Sequence, residues 1–132
     1  MREIGFSKLW PKLAKPQFTT FRFTRRDKND WHVGEVVRVV YRPRSHIDRS
    51  VLGLAVIEAK EQRAIFRDTD YVPRITNREA KIDGFEGLIT MEEWLRKSYP
   101  GDRLWDEPMN KLTLAWTQRW LNNQREEGSG KE

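Results

Sequence analysis

The sequence predicts an α+β domain in which a curled β-sheet with short flanking helices forms a small barrel. Four segments alternate apolar with polar residues or are rich in β-branched residues, which favours strands at residues 18–23, 36–41, 52–59 and 111–117. These strands outnumber the short helical signals. A chain of 132 residues is long enough for one core and too short for two. We therefore expect a single domain over residues 1–125 and a flexible polar tail over residues 126–132.

The first apolar residues of the chain are spaced like one face of a helix. Phe6, Leu9, Trp10 and Leu13 follow an i, i+3, i+4, i+7 pattern, which predicts a short N-terminal helix. Pro16 stops this helix, because the residue before a proline is driven toward extended backbone.

The first predicted strand has two chemically different faces. Thr19, Phe21 and Phe23 share the face that we expect in the core. The opposite face places the hydroxyl of Thr20 beside the guanidinium of Arg22. In the third predicted strand, small residues at positions 53 and 55 leave room for a bulky group to approach one face of the sheet closely.

Two Thr-x-x-Glu segments carry the pattern of a helix capping box. They are Thr76–Glu79 and Thr90–Glu93. The second is followed by apolar residues at helical spacing, so we expect it to be the better box and to start a helix over residues 91–98 that packs on the sheet.

The large aromatic residues fall into two groups. Three tryptophans are expected in the core: Trp10, Trp94 and Trp116. Three further rings lie in loop-like sequence: Trp31, Tyr71 and Trp105. Either these last three cap the ends of the barrel, or they are exposed and can stack on unpaired bases.

Positive charge is concentrated in the first half of the chain. The formal net charge is +5, of which residues 1–66 carry +7 and residues 67–132 carry −2. Between Arg22 and Arg49 there are eight basic residues and four acidic ones. This asymmetry predicts either a face that meets a large anion such as nucleic acid, or a solvated polar face.

Residue composition argues against several other classes of protein. The chain has no cysteine, which excludes disulfides, thiolate metal ligands and a thiol nucleophile. Its two histidines are fourteen residues apart and no phosphate loop, His-Glu-x-x-His or Gly-x-Ser-x-Gly motif is present, so we expect no metal and no cofactor. The longest weakly polar run, residues 51–57, is far short of the roughly 20 apolar residues of a membrane span. Residues 1–15 lack the apolar region of a secretory signal, so we expect a cytoplasmic protein that does not contact membranes.

Several short motifs follow one another in a recognisable order. They are Thr20-Phe21-Arg22, Gly34-Glu35, Ile57-Glu58, Asp83-Gly84-Phe85, Met91-Glu92-Glu93-Trp94-Leu95 and the strand at residues 111–116. In this order they resemble the ASCH domain, a family of the PUA-like superfamily of small β-barrels, over about residues 14–117. The resemblance implies a PUA-like curled barrel. The family motif Gly-x-Lys-x-x-Thr-x-Arg has its lysine three residues before the threonine, where this chain has Gln17.

This resemblance implies that the chain binds RNA or a nucleotide-like ligand in a cleft beside the first strand. Arg22 would hold a phosphate or a base edge, Thr20 would offer a hydroxyl, and Glu58 would accept from an amino group such as that of cytosine. Four arginines would neutralise phosphates and one aromatic ring would stack on a base. These residues are Arg25, Arg26, Arg42, Arg44 and Trp31.

Two alternative functions remain open. Some ASCH proteins resemble small amidohydrolases acting on acetylated cytidine, which implies Thr20 as nucleophile, Glu58 as the proton-handling carboxylate and Lys15 as base. Because Gln17 holds the family's lysine position and takes no proton at neutral pH, we expect weak or absent turnover of N4-acetylcytidine. The other alternative is a protein-interaction module that uses the acidic, Trp-containing segment 102–107.

Overall fold

A five-stranded mixed sheet curls into a half-barrel, and short helices flank it. The structure is a computed structural model that describes residues 1–25, 29–66 and 71–120. Along the chain the elements are β1 (Glu3–Phe6), a 3₁₀ helix (Pro11–Ala14), β2 (Gln17–Phe23), β3 (Val36–Tyr41), β4 (Ser50–Arg63), α1 (Asn77–Asp83), α2 (Leu88–Ser98), α3 (Arg103–Asp106) and β5 (Met109–Arg119). The strand order is β1-β3-β4-β5-β2, with β1 parallel to β3 and the other pairs antiparallel. The predicted α+β class with a curled sheet is confirmed.

All four predicted strands are present. β3 has the predicted bounds, while β2 and β5 extend slightly beyond theirs. β4 is much longer than predicted, because it stays paired with β5 from Gly53 to Arg63 across two register shifts. Such bulges bend a strand and increase its twist, which lets the sheet curl.

The predicted N-terminal helix is wrong. Ile4 and Phe6 alternate into the core from β1, whose residues pair in parallel with those of β3. Pro11 then begins a single 3₁₀ turn. Burying two large side chains in the half-barrel outweighs the helical spacing of the apolar residues that follow.

The sheet separates two hydrophobic clusters. The inner cluster draws on all five strands and fills the half-barrel. The outer cluster lies between the sheet and the helices and contains Phe21 and Phe23, each 7% exposed. The predicted facing of the first strand is thereby confirmed. Phe18 on the opposite face is buried as well, because the curled sheet encloses it.

Of the two predicted capping boxes, the first is confirmed and the second is wrong. Thr76 caps α1, with its side chain and that of Glu79 forming both reciprocal bonds of the box. Helix α2 instead begins at Leu88, two residues before Thr90. The Leu88 N–H donates to Asn77 Oδ1 at 2.9 Å, so a side chain of the preceding helix satisfies the first N–H of α2.

The close approach predicted at the third strand is made by backbone. Gly53 has φ of 153°, and a Cβ at this position would lie 2.0 Å from the carbonyl oxygen of Gln118 in β5. Glycine is therefore required where β4 pairs with the end of β5. Within the described ranges, the helices are too short and too polar for any of them to cross a membrane.

Candidate functional site

The half-barrel leaves a cleft between its two edge strands, β1 and β2. The cleft has a volume of about 750 Å³, with Phe6 on one side and Thr20 and Arg22 on the other. Helix α2 forms a wall, and residues 42–45, which follow β3, form part of the rim. The cleft therefore lies beside the strand that the sequence predicted to carry the site.

Arg22 bridges the two edges of the sheet. Its Nε donates to Thr20 Oγ1 at 3.0 Å, which confirms the predicted pairing of hydroxyl and guanidinium. Its Nη2 donates to the Gly5 carbonyl of β1 at 2.7 Å, and its Cζ lies 4.8 Å from the centroid of the Phe6 ring. Burial lowers the pKa of Arg22 from its usual value, although arginine remains a cation at neutral pH.

A buried ion pair lies deep in the cleft, formed by residues that the sequence did not single out as a site. Lys12 Nζ donates to Asp83 Oδ1 at 3.0 Å, and the Thr19 hydroxyl donates to the same oxygen at 2.9 Å. Lys12 and Asp83 are each 5% exposed. Burial lowers the pKa of Lys12 and the charge of Arg22 adds to this, while Asp83 opposes it.

Three aromatic rings form one wall of the cleft. The Trp10 centroid lies 5.1 Å from that of Phe85 and 5.3 Å from that of Trp94. Trp10 is buried, as predicted, but the core placement of Trp94 is wrong, since 38% of it is exposed. Its position on α2 borders the cleft, so the ring remains accessible there. Lys8 Nζ lies 4.2 Å from the centroid of the Trp10 ring.

Two of the predicted phosphate-binding arginines lie at the rim. Arg42 and Arg44 line the cleft and are exposed to solvent. Arg42 directly follows β3 with φ of 49°, in the left-handed region, and its Nη1 donates to Asp48 Oδ2 at 3.0 Å. Because Lys12 is paired with Asp83 and Arg42 with Asp48, Arg22 and Arg44 give the described lining of the cleft its net positive charge.

The three residues proposed for catalysis do not share the cleft. Thr20 lines it, but among the residues that the structure describes, Lys15 and Glu58 do not. Lys15 is exposed next to the 3₁₀ helix. Glu58 is also exposed, and its Oε1 accepts from Gln17 Nε2 at 2.6 Å.

Trp31 and Arg25 lie together away from the cleft. Trp31 is 6% exposed and packs in the inner cluster, with the Arg2 and Arg25 guanidinium carbons 4.7 Å and 5.4 Å from its ring centroid. It therefore has no open ring face on which a base could stack. Arg26 lies outside the described residues.

The other aromatic residues in loop-like sequence are exposed. Tyr71 is 93% exposed and Trp105 is 54% exposed. The Trp105 ring stacks on Phe66, with the two ring centroids 4.1 Å apart. Trp116, predicted in the core, is half-buried against the inner cluster and its indole N–H donates to the Leu13 carbonyl at 3.2 Å.

Comparisons with known proteins add no relative: a scan against protein-family models found no match, and searches of curated proteins and of solved structures found none either. The likeness to ASCH domains thus remains an interpretation of short motifs. In the described ranges, no three His, Asp or Glu side chains gather as metal ligands would. The function is therefore inferred from the chemistry of the cleft.

Proposed function

We propose that this protein is a PUA-like domain of ASCH type that binds RNA or a nucleotide-like ligand in the cleft between β1 and β2. One observation carries this proposal: the accessible aromatic ring of Trp94, the guanidinium of Arg22 and the arginines of the rim all line the same cleft. A nucleotide combines a flat ring with an anionic phosphate, so it needs both kinds of surface.

The charges inside the cleft favour one orientation of the ligand. Deep in the cleft, Asp83 neutralises Lys12, and its carboxylate repels a phosphate. Asp83 Oδ1 already accepts two hydrogen bonds, which leaves Oδ2 to accept from an amino or imino group of a base. The base therefore enters first, and its phosphate stays at the rim near Arg42 and Arg44.

The orientation also accounts for both ligand forms in the proposal. With the phosphate at an open rim, the cleft accepts a free nucleotide or an unpaired base of an RNA strand. In either case one base occupies the cleft, and further nucleotides lie outside it. Comparing the affinity for a nucleoside monophosphate with that for a short single-stranded RNA shows which of the two is the preferred ligand.

Binding is favoured over the alternative amidohydrolase function by the contacts of Thr20. Its Oγ1 accepts from Arg22 Nε, whereas Lys15 and Glu58 do not line the cleft and Glu58 is bonded to Gln17. A threonine hydroxyl is a weak nucleophile without a base within hydrogen-bond reach. We therefore still expect weak or absent turnover of N4-acetylcytidine. Turnover abolished by both Thr20→Ala and Lys15→Ala would favour the hydrolase instead.

Calorimetric titration with the four nucleoside 5′-monophosphates and with short single-stranded RNA tests the proposal. Trp94→Ala is expected to weaken binding by about 1–3 kcal/mol, the usual contribution of one stacked base. Arg44→Gln is expected to weaken it through the lost phosphate contact.

Two variants elsewhere on the surface serve as matched controls for this titration. Trp105→Ala removes an exposed tryptophan and Arg78→Gln an exposed arginine, and neither residue lines the cleft. Both are expected to bind like the parent chain. If neither nucleotide nor RNA binds at low ionic strength, or if the controls lose as much affinity as the cleft variants, the proposed function is wrong.

A further inference from the structure

The cleft contains a lysine amine in unusual surroundings. Lys12 Nζ lies 5.4 Å from the centroid of Phe6 and 5.6 Å from that of Trp10, so it faces two aromatic rings. The residue is 5% exposed, and it lines the cleft. Lysines that are desolvated in this way, beside a second cation, lose their proton more easily and become nucleophiles.

The neighbours of Lys12 supply both of the groups that such an amine needs. Burial lowers the pKa of Lys12, Asp83 opposes this effect, and the charge of Arg22, the second cation, adds to the lowering. Asp83 lies 3.0 Å from the amine and is held by the Thr19 hydroxyl. Its carboxylate is placed to stabilise a positive charge that returns to this nitrogen after a reaction.

We propose that Lys12 Nζ is a nucleophile that forms an imine with an aldehyde or ketone ligand entering the cleft. Lys12 Nζ first passes a proton to Asp83, which lies 3.0 Å away, and the neutral amine then adds to the carbonyl carbon. A C–N bond forms, and a proton moves from the nitrogen to the carbonyl oxygen to give a carbinolamine. Asp83 returns its proton to the departing hydroxyl, so water leaves, and the protonated C=N bond that remains is paired with the Asp83 carboxylate. The step needs no oxidant or reductant.

The cleft also defines which carbonyl compounds fit. The aromatic wall favours a flat ring, and the exposed Arg42 and Arg44 favour an anionic group at the opposite end of the molecule. The cleft thus favours flat, anionic aldehydes or ketones as partners for Lys12. This reactivity uses the cleft of the proposed function but does not depend on nucleotide binding.

Labelling of the full-length chain with pyridoxal 5′-phosphate, a flat and anionic aldehyde, tests this inference. Sodium borohydride reduces any imine to a stable amine, and peptide mass mapping then identifies the lysine that carries it. At neutral pH and limiting reagent we expect Lys12 to be labelled ahead of Lys15, which is exposed on the same segment. Lys12→Arg is expected to lose the main label and Lys15→Arg to keep it.

Peptide mass mapping of the labelled parent chain shows whether Lys12 reacts even if Lys12→Arg does not fold. Label on Lys15 or Lys8 with none on Lys12 would overturn the inference, as would an equal spread over all exposed lysines. An unlabelled Lys12 in a chain that binds nucleotides rejects this inference alone. A labelled Lys12 in a chain that binds neither nucleotide nor RNA rejects the proposed function alone.

Discussion

At the residue scale, the cleft depends on side chains that are far apart in the sequence. Lys12 and Asp83 are 71 positions apart, yet they form a buried ion pair. Asp83 belongs to the Asp-Gly-Phe motif, in which Gly84 makes the left-handed turn after α1 and Phe85 packs against both hydrophobic clusters. The pair therefore joins the 3₁₀ helix to the end of α1 beneath the cleft.

Asp83→Asn is expected to destabilise the protein by about 3–5 kcal/mol, because the buried Lys12 amine loses its counter-charge and must either stay charged without a partner or give up its proton. Urea unfolding at neutral pH measures this loss. The double variant Lys12→Met with Asp83→Asn is expected to recover part of the stability, since it removes the buried charge as well. A loss below about 1 kcal/mol for the single variant would mean that the pair is solvated.

At the element scale, Glu79 links α1 to the two longest strands. Its carboxylate completes the capping box and accepts from Arg63 Nε and Lys111 Nζ, each at 3.0 Å. Burial would raise the pKa of Glu79, but bonds from the Thr76 N–H, Lys111 and Arg63 outweigh it and lower the pKa below 4.5. The ionised form thus favours the folded state. Its stabilisation is present above pH 4.5 and is lost as the pH falls through the lowered value.

Glu79→Gln keeps the capping box but loses both ion pairs. We expect it to lower the free energy of unfolding by about 1.5–3 kcal/mol at neutral pH. The difference in the free energy of unfolding should shrink as the pH falls from 4.5 through the lowered pKa of Glu79, where the folded parent chain becomes protonated as well. Glu93→Gln, on the exposed face of α2, is the control and should change the free energy of unfolding little. If Glu79→Gln lowered the free energy of unfolding by the same amount at neutral and at acid pH, the stabilisation would not come from the charge of Glu79.

The strands and helix starts differ in how far local sequence could predict them. The strands were predictable because their alternation is local, and the capping box at Thr76 is local too. The start of α2 was not, because its Leu88 N–H donates to Asn77 of another helix. Strand β1 was missed because its four residues are held by pairing with residues of β3 that lie 35 positions further along the chain.

At the scale of the whole molecule, curling of the sheet creates the site. It brings β1 and β2, the first and last strands of the sheet order, to the two sides of one cleft. The predicted position beside the first strand, with Thr20, Arg22, Arg42 and Arg44, follows from motifs in the sequence. Lys12, Asp83 and the exposure of Trp94 depend on how the helices pack on the sheet. Such long-range packing leaves no local pattern in the sequence.

Nuclear magnetic resonance of the tryptophan indole N–H groups, during titration with uridine 5′-monophosphate and the other three monophosphates, tests the central claim most directly. Trp10 and Trp94 line the cleft, while Trp105 and Trp116 do not. We expect the signals of Trp10 and Trp94 to shift and saturate together with at least one nucleotide, and those of Trp105 and Trp116 to stay in place. Unmoved Trp10 and Trp94 signals with every nucleotide, or shifts confined to Trp105, would contradict binding in this cleft.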